Sequence, residues 1–176
     1  MRDFFLSRDA ADLAAAYKTL AGLGPAPDPG DWEAVEFAFN RLFVGPMKLA
    51  APPYASVYLD PEPRVMGEST LQARRVYQAL GLESPWEGRL PDDHISLELD
   101  ACLHFQAALA KAPAEELSAL WRYFILEHLG TWVPRFVDRV REAPLVPAPI
   151  VFVIDQLVAW LDQEMSAARS AGKVGG

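Results

Sequence analysis

The chain has 176 residues, 51% of them hydrophobic, and a formal net charge of −8. That length suits one domain with a substantial core, and the negative charge argues against non-specific binding to nucleic acid or to an anionic membrane, which select basic faces. A cationic peptide is the complementary partner. No apolar run approaches the ~18 residues of a membrane span, MRDFFLSRDAAD is no secretory signal, and the single cysteine, Cys102, has no internal partner for a disulfide, so a cytoplasmic location is expected.

In chain order, residues 9–23 are alanine-rich, with Leu13, Tyr17, Leu20 and Leu23 at helical spacing before Gly24. Asp31 caps a second helix, WEAVEFAFNRLF, whose Trp32, Val35, Phe39, Leu42 and Phe43 form an aromatic stripe ending at Gly45 and Pro46. Residues 49–67 hold four prolines, which predicts an extended loop. Tyr54, Val57, Tyr58 and Met66 make that loop too apolar for disorder, and a loop of such length is usually functional. Ser69 or Thr70 is expected to cap a third helix closed by Gly81, with Leu71, Val76 and Leu80 facing inward.

A loop over residues 83–89 leads to LPDDHISLELDACLHF, residues 90–105. Asp92 or Asp93 is placed to N-cap the helix that follows, and Ile95, Leu99, Cys102, Leu103 and Gln106 share one mostly apolar stripe, which reads Cys102 as a core residue. After Pro113, a helix carrying Leu117, Leu120, Trp121, Phe124, Ile125 and His128 on one face is expected to end at Gly130. Thr131 then caps another, with Pro134 in its first turn and Phe136, Val137 and Val140 inside. PLVPAP is a stiff connector to a last helix from Ile150 to about Ala168, and residues 172–176 form a glycine-rich tail. The expected fold is all-α, a single bundle of six or more helices over residues 1–171 with a long proline-rich loop.

The polar residues at the start of the central helix admit three readings. As an enzyme, His94 would be a general base oriented by Asp93 or Glu98, but no paired nucleophile and no phosphate-binding glycine loop accompanies it. As a metal site, His94 and Glu98 would join Asp92 on one helix face, and a second helix would have to contribute. In the plainest reading Asp92 caps the helix and His94 pairs with Glu98 one turn on. The aromatic residues are most simply core. A loop bearing Tyr54 and Tyr58 beside an acidic helix start would also make an apolar groove with a negative rim, suited to an amphipathic or cationic peptide.

Three segments resemble a known family. RLFVGPMKLAAPPYASVYLD with MGESTLQARRVYQALGL, LPDDHISLELD and EHLGTWVPRFVDRV resemble, in order and spacing, the TorD/DmsD-like chaperones that mature twin-arginine-exported molybdoenzymes, with the nitrate reductase assembly proteins as cousins. The resemblance implies an all-helical, non-enzymatic cytoplasmic chaperone. It would bind the twin-arginine leader or the catalytic subunit of a reductase of the DMSO/TMAO type and assist cofactor insertion before export. By position, Asp93 and His94 match the pair implicated in leader binding, Phe39, Leu42 and Phe43 the set lining the leader site, and Tyr54, Ser56 and Tyr58 the aromatic loop. Asp92 and Glu98 would supply further carboxylates for the leader's arginines. The family's acidic position two before the signature aspartate is Pro91 here, with the nearest glutamate at Glu87. The chain itself is expected to hold no cofactor stably, molybdopterin guanine dinucleotide belonging to the client. A monomer or a domain-swapped homodimer, an assembly chaperone for a non-exported nitrate-reductase-type subunit, and a metal- or nucleotide-dependent helical enzyme stay open as alternatives.

Overall fold

The computed structural model describes residues 1–22, 24–62, 65–82 and 90–171, and those residues fold into helices without a named strand. Leu23, the loop over residues 83–89 with its Glu87, and the tail over 172–176 lie outside the described residues. A one-turn helix α1 (Arg2–Phe5) comes first, an element the sequence reading did not expect, and it is anchored by buried Phe4 and Phe5. Helix α2 (Ala10–Ala21) starts at Asp9, whose carboxylate accepts from Asp12 N–H at 2.9 Å, and buries Leu13, Tyr17 and Leu20. Helix α3 (Trp32–Phe39) is capped by Asp31 as expected and runs on into a π-helical turn, Asn40–Val44, that buries Leu42 and Phe43.

The proline-rich loop is not wholly extended. Between Pro53 and Pro61 it accommodates one helical turn, α4 (Ser56–Leu59), because neither proline falls inside that turn. Helix α5 (Glu68–Ala79) begins before the expected caps, with Ser69 and Thr70 inside its first turn. The Asp60 carboxylate accepts from the Ser69 N–H at 3.1 Å and from its hydroxyl, doing the capping from across the loop. Gly67 is needed beside it, since a Cβ there would land on the Asp60 carboxylate. Leu71 is 46% exposed rather than inward, while Val76 is buried as expected and is joined by Ala73 and Tyr77.

Helix α6 (Ile95–Lys111), expected to be central, packs chiefly against α1 and the helix that follows it, and buries its N-terminal part. Its whole first turn and a half, Ile95 to Leu99, is buried, which is why Leu103 is left 53% exposed and Gln106 at the surface bonded to Glu164: the buried stripe continues through Ala101, Cys102 and Phe105 instead. Burial pushes the Cys102 thiol well above its ordinary pKa, as suits a core residue.

The next two expected helices are one. Helix α7 (Glu115–Tyr123), a π-helical turn Phe124–Leu129 and α8 (Gly130–Glu142) follow without a break. Gly130 does not end a helix, and Thr131 does not cap one, its hydroxyl bonding back to Glu127 C=O at 2.6 Å. Gly130 is required for a different reason: a Cβ there would sit 2.9 Å from the Ile125 carbonyl oxygen and 2.9 Å from Met165 Cε of α9 (Ala148–Ala171). The π turn brings that carbonyl in, and α9 packs against the gap.

Candidate functional site

The segment before α6 is organised by hydrogen bonds that the spacing alone did not foretell. His94, and neither Asp92 nor Asp93, is the N-cap of α6: its Nδ1 accepts from Ser96 N–H at 3.2 Å and faces Ser96 Oγ at 2.6 Å. With Nδ1 serving as acceptor, the ring proton belongs on Nε2. Burial drives His94 down to about 3, so the ring is neutral near pH 7. It does not pair with Glu98, whose two oxygens are taken by His128 and Trp132.

Asp93 is fully buried and reaches across to two other elements. Its Oδ2 accepts from Ser56 N–H, the first residue of α4, at 2.8 Å, and its Oδ1 from the Thr70 hydroxyl of α5 at 2.8 Å. The backbone adds an antiparallel bridge between Tyr54 and His94, with Ala55 N–H to Asp93 C=O and Ile95 N–H to Pro53 C=O, each at 3.0 Å. Residues 53–56 of the loop are stitched to the start of α6 at this junction. Asp92, 2% exposed, takes the Arg74 guanidinium at 2.6 Å, and its carbonyl accepts from the Tyr77 hydroxyl at 2.5 Å.

Glu98 has the partner that sequence reasoning missed. His128, from the π turn, places Nε2 2.6 Å from Oε1, and the Trp132 indole N–H donates to Oε2 at 2.9 Å. Burial raises the Glu98 carboxyl against the pull of His128 and Trp132. At His128 burial opposes the charged ring, but the facing carboxylate outweighs it and the pKa is raised. A signal did exist: one histidine on the apolar face of one helix and one glutamate on that of another are two buried groups of opposite sign, and each needs the other.

These partners determine what the site offers. The expected negative rim is absent as drawn, because Asp93 and Glu98 are fully buried and their oxygens are committed to internal donors, while Asp92 already holds a guanidinium. Asp92, His94 and Glu98 do not converge, and among the described residues no group of three or more His, Cys, Asp or Glu could hold a metal ion. Phe39, Leu42, Phe43, Ser56 and Tyr58 are all buried, and Tyr54 alone of the ten candidates is only half covered, its ring edge-on to His94 at 5.1 Å. Beneath the loop lies an aromatic layer: Tyr58 stacks on Trp132 at 5.7 Å, and Phe136 of α8 lies 5.7 Å from Phe43, with Arg139 4.8 Å over the Tyr58 ring. Arg135 fastens the loop from the other side, donating to Tyr58 C=O at 2.7 Å.

Comparison with known proteins agrees with this architecture. Residues 7–138 match the family described as nitrate reductase delta subunit. A DmsD of Haemophilus influenzae, a probable Tat proofreading chaperone by name, is 32% identical over 125 residues, 69% of this chain and 58% of the relative. The chain thus spans little more than half of that relative. The chaperone protein TorD of a Psychrobacter species is 28% identical over 167 residues, 94% of this chain and 74% of the relative. A crystal structure of a protein described as a redox enzyme maturation protein of Archaeoglobus fulgidus superposes with a TM-score of 0.62 at 24% identity, covering 90% of this chain and 94% of that one, which shows the shared helical fold. With most of its length inside the family match, the chain belongs to the nitrate reductase delta subunit family, on the branch of the TorD- and DmsD-like maturation chaperones.

Proposed function

We propose that the chain is a cytoplasmic maturation chaperone without catalysis of its own, and that it binds the twin-arginine leader of a molybdoenzyme catalytic subunit of the DMSO/TMAO reductase type until that subunit has received its molybdopterin cofactor. Family membership supports the class. The observation that carries the site is the junction at Asp93 and His94, where the only half-covered candidate residue, Tyr54, stands edge-on to His94 above the aromatic layer.

In this reading His94 acts as a neutral N–H donor toward a peptide carbonyl through Nε2, and Tyr54 supplies an aromatic wall. Asp93 is a positioning residue that holds the loop through Ser56 N–H and Thr70 rather than a direct partner of the leader's arginines. Phe39, Leu42, Phe43 and Tyr58 form the apolar floor. Most of the affinity then comes from the leader's apolar stretch, since exposed arginine–carboxylate pairs contribute only ~0.2–1 kcal/mol each. Net affinity near micromolar, roughly −8 kcal/mol, is expected once ordering of the peptide is subtracted.

The family's description favours one second reading, an assembly chaperone for a non-exported nitrate-reductase-type subunit. Titration with the leader and, separately, with the mature catalytic subunit decides between them. Leader binding that weakens when both arginines become lysine supports the first, and binding of the mature subunit alone supports the second.

A further inference from the structure

The apolar floor of the leader site is already occupied in this structure by α1. Phe4 meets Phe39 edge-on at 5.7 Å, and Phe5 meets Phe43 at 5.7 Å and Phe136 at 6.0 Å. Arg2, at the start of the same turn, reaches Asp100 of α6 at 2.6 Å and Asp3 at 2.8 Å. Read along the chain, Arg2-Asp3-Phe4-Phe5-Leu6 is an arginine, an aspartate that pairs with it, and then an apolar run, so the segment shares with a leader peptide its arginine and its apolar stretch. The turn is four residues long with no side-chain cap, so it has no helical stability of its own and is held by buried Phe4 and Phe5, by packing against α6 and α2, and by an ion pair between partly exposed groups. The family match begins at residue 7, after this segment.

We propose that α1 is a displaceable internal plug: it occupies the surface formed by Phe39, Phe43, Phe136 and Asp100, and an incoming segment of the same chemistry, an arginine followed by aromatic or aliphatic residues, replaces it. This rests on the leader-binding reading and gives that reading a route to residues that are otherwise covered. A plug that must first be vacated reduces the apparent affinity to the intrinsic value times the fraction of molecules that are open, so loosening α1 must tighten binding.

The test is calorimetric titration of a synthetic twin-arginine leader of a DMSO-reductase-type subunit into the full chain and into Phe5→Ala and Arg2→Gln variants shown to be folded by circular dichroism. Arg2→Gln removes the plug's own cation at a partly exposed position and leaves Asp100 for the incoming arginine, and it carries the test if Phe5→Ala does not fold. The expected result is tighter binding by the variants, about tenfold for Phe5→Ala and less for Arg2→Gln. Hydrogen exchange should show the Phe4 and Phe5 amides losing protection in the wild-type complex. Leader binding by the wild type that is unchanged or weaker in the variants, with those amides still protected, overturns the plug and leaves the leader site standing. A leader that binds none of the three proteins overturns the leader site and the plug together.

Discussion

Asp93 illustrates how a single carboxylate can hold a site without touching its ligand. With both oxygens on buried donors from α4 and α5, Asp93→Ala leaves the Ser56 N–H and Thr70 hydroxyl unsatisfied and should cost about 3 kcal/mol, read from urea denaturation. Because the residue acts through the loop, the loss of leader affinity in Asp93→Asn should not change with salt; a loss that shrinks as salt rises would mean a direct ionic contact instead. His94 makes a pH prediction. Its folded value near 3 lies below its ordinary 6.5, so between these limits the unfolded chain takes up a proton that the folded chain refuses, and stability falls as pH drops through that window. At pH 5 the loss should be about 2 kcal/mol. Glu98 and His128, both shifted up, work in the opposite sense, so the readout is the difference between wild type and His94→Asn, which keeps a capping oxygen but does not titrate. The Asp-His pair itself was legible in the sequence. Its wiring was not, since Ser56, Thr70 and Ser96 are partners chosen by the tertiary path of the loop, and spacing along one helix offered His94 only Glu98.

Among the elements, the two π turns decide where side chains from α3 and the long α7–α8 helix meet the core. One places Leu42 and Phe43, the other His128. Glu98→Ala should cost about 3–5 kcal/mol in thermal or urea unfolding, since it leaves the Trp132 N–H and the His128 ring buried without their acceptor, and Glu98→Gln should cost less because an amide can serve both. Gly130→Ala should destabilise by about 1–3 kcal/mol, and Met165→Ala should relieve only part of that, because the Ile125 carbonyl cannot move aside as a methionine methyl can. Helix positions were readable from apolar periodicity. The expected break at Gly130 failed because a glycine that admits a close carbonyl and a neighbouring helix looks, in sequence, like one that ends a helix. Helix α1 escaped notice because two phenylalanines in a single turn carry no period.

At the scale of the whole molecule, an acidic chain whose described helices include none long and apolar enough to cross a membrane packs α2, α3, α7 and α8 against the long α9, with α6 held between α1 and α7. It leaves one long loop pinned over an aromatic layer. The all-α class and the family were legible because composition, periodicity and three ordered segments agreed. The covering of the candidate residues was not, because burial of Phe39 and Phe43 depends on a segment distant in sequence. The most direct measurement is calorimetric titration of the purified chain with a synthetic twin-arginine leader, alongside the same peptide with both arginines changed to lysine and the Asp93→Ala/His94→Ala variant. Binding near micromolar that weakens in both controls is the predicted result. A folded chain that binds no leader would contradict a leader-binding chaperone.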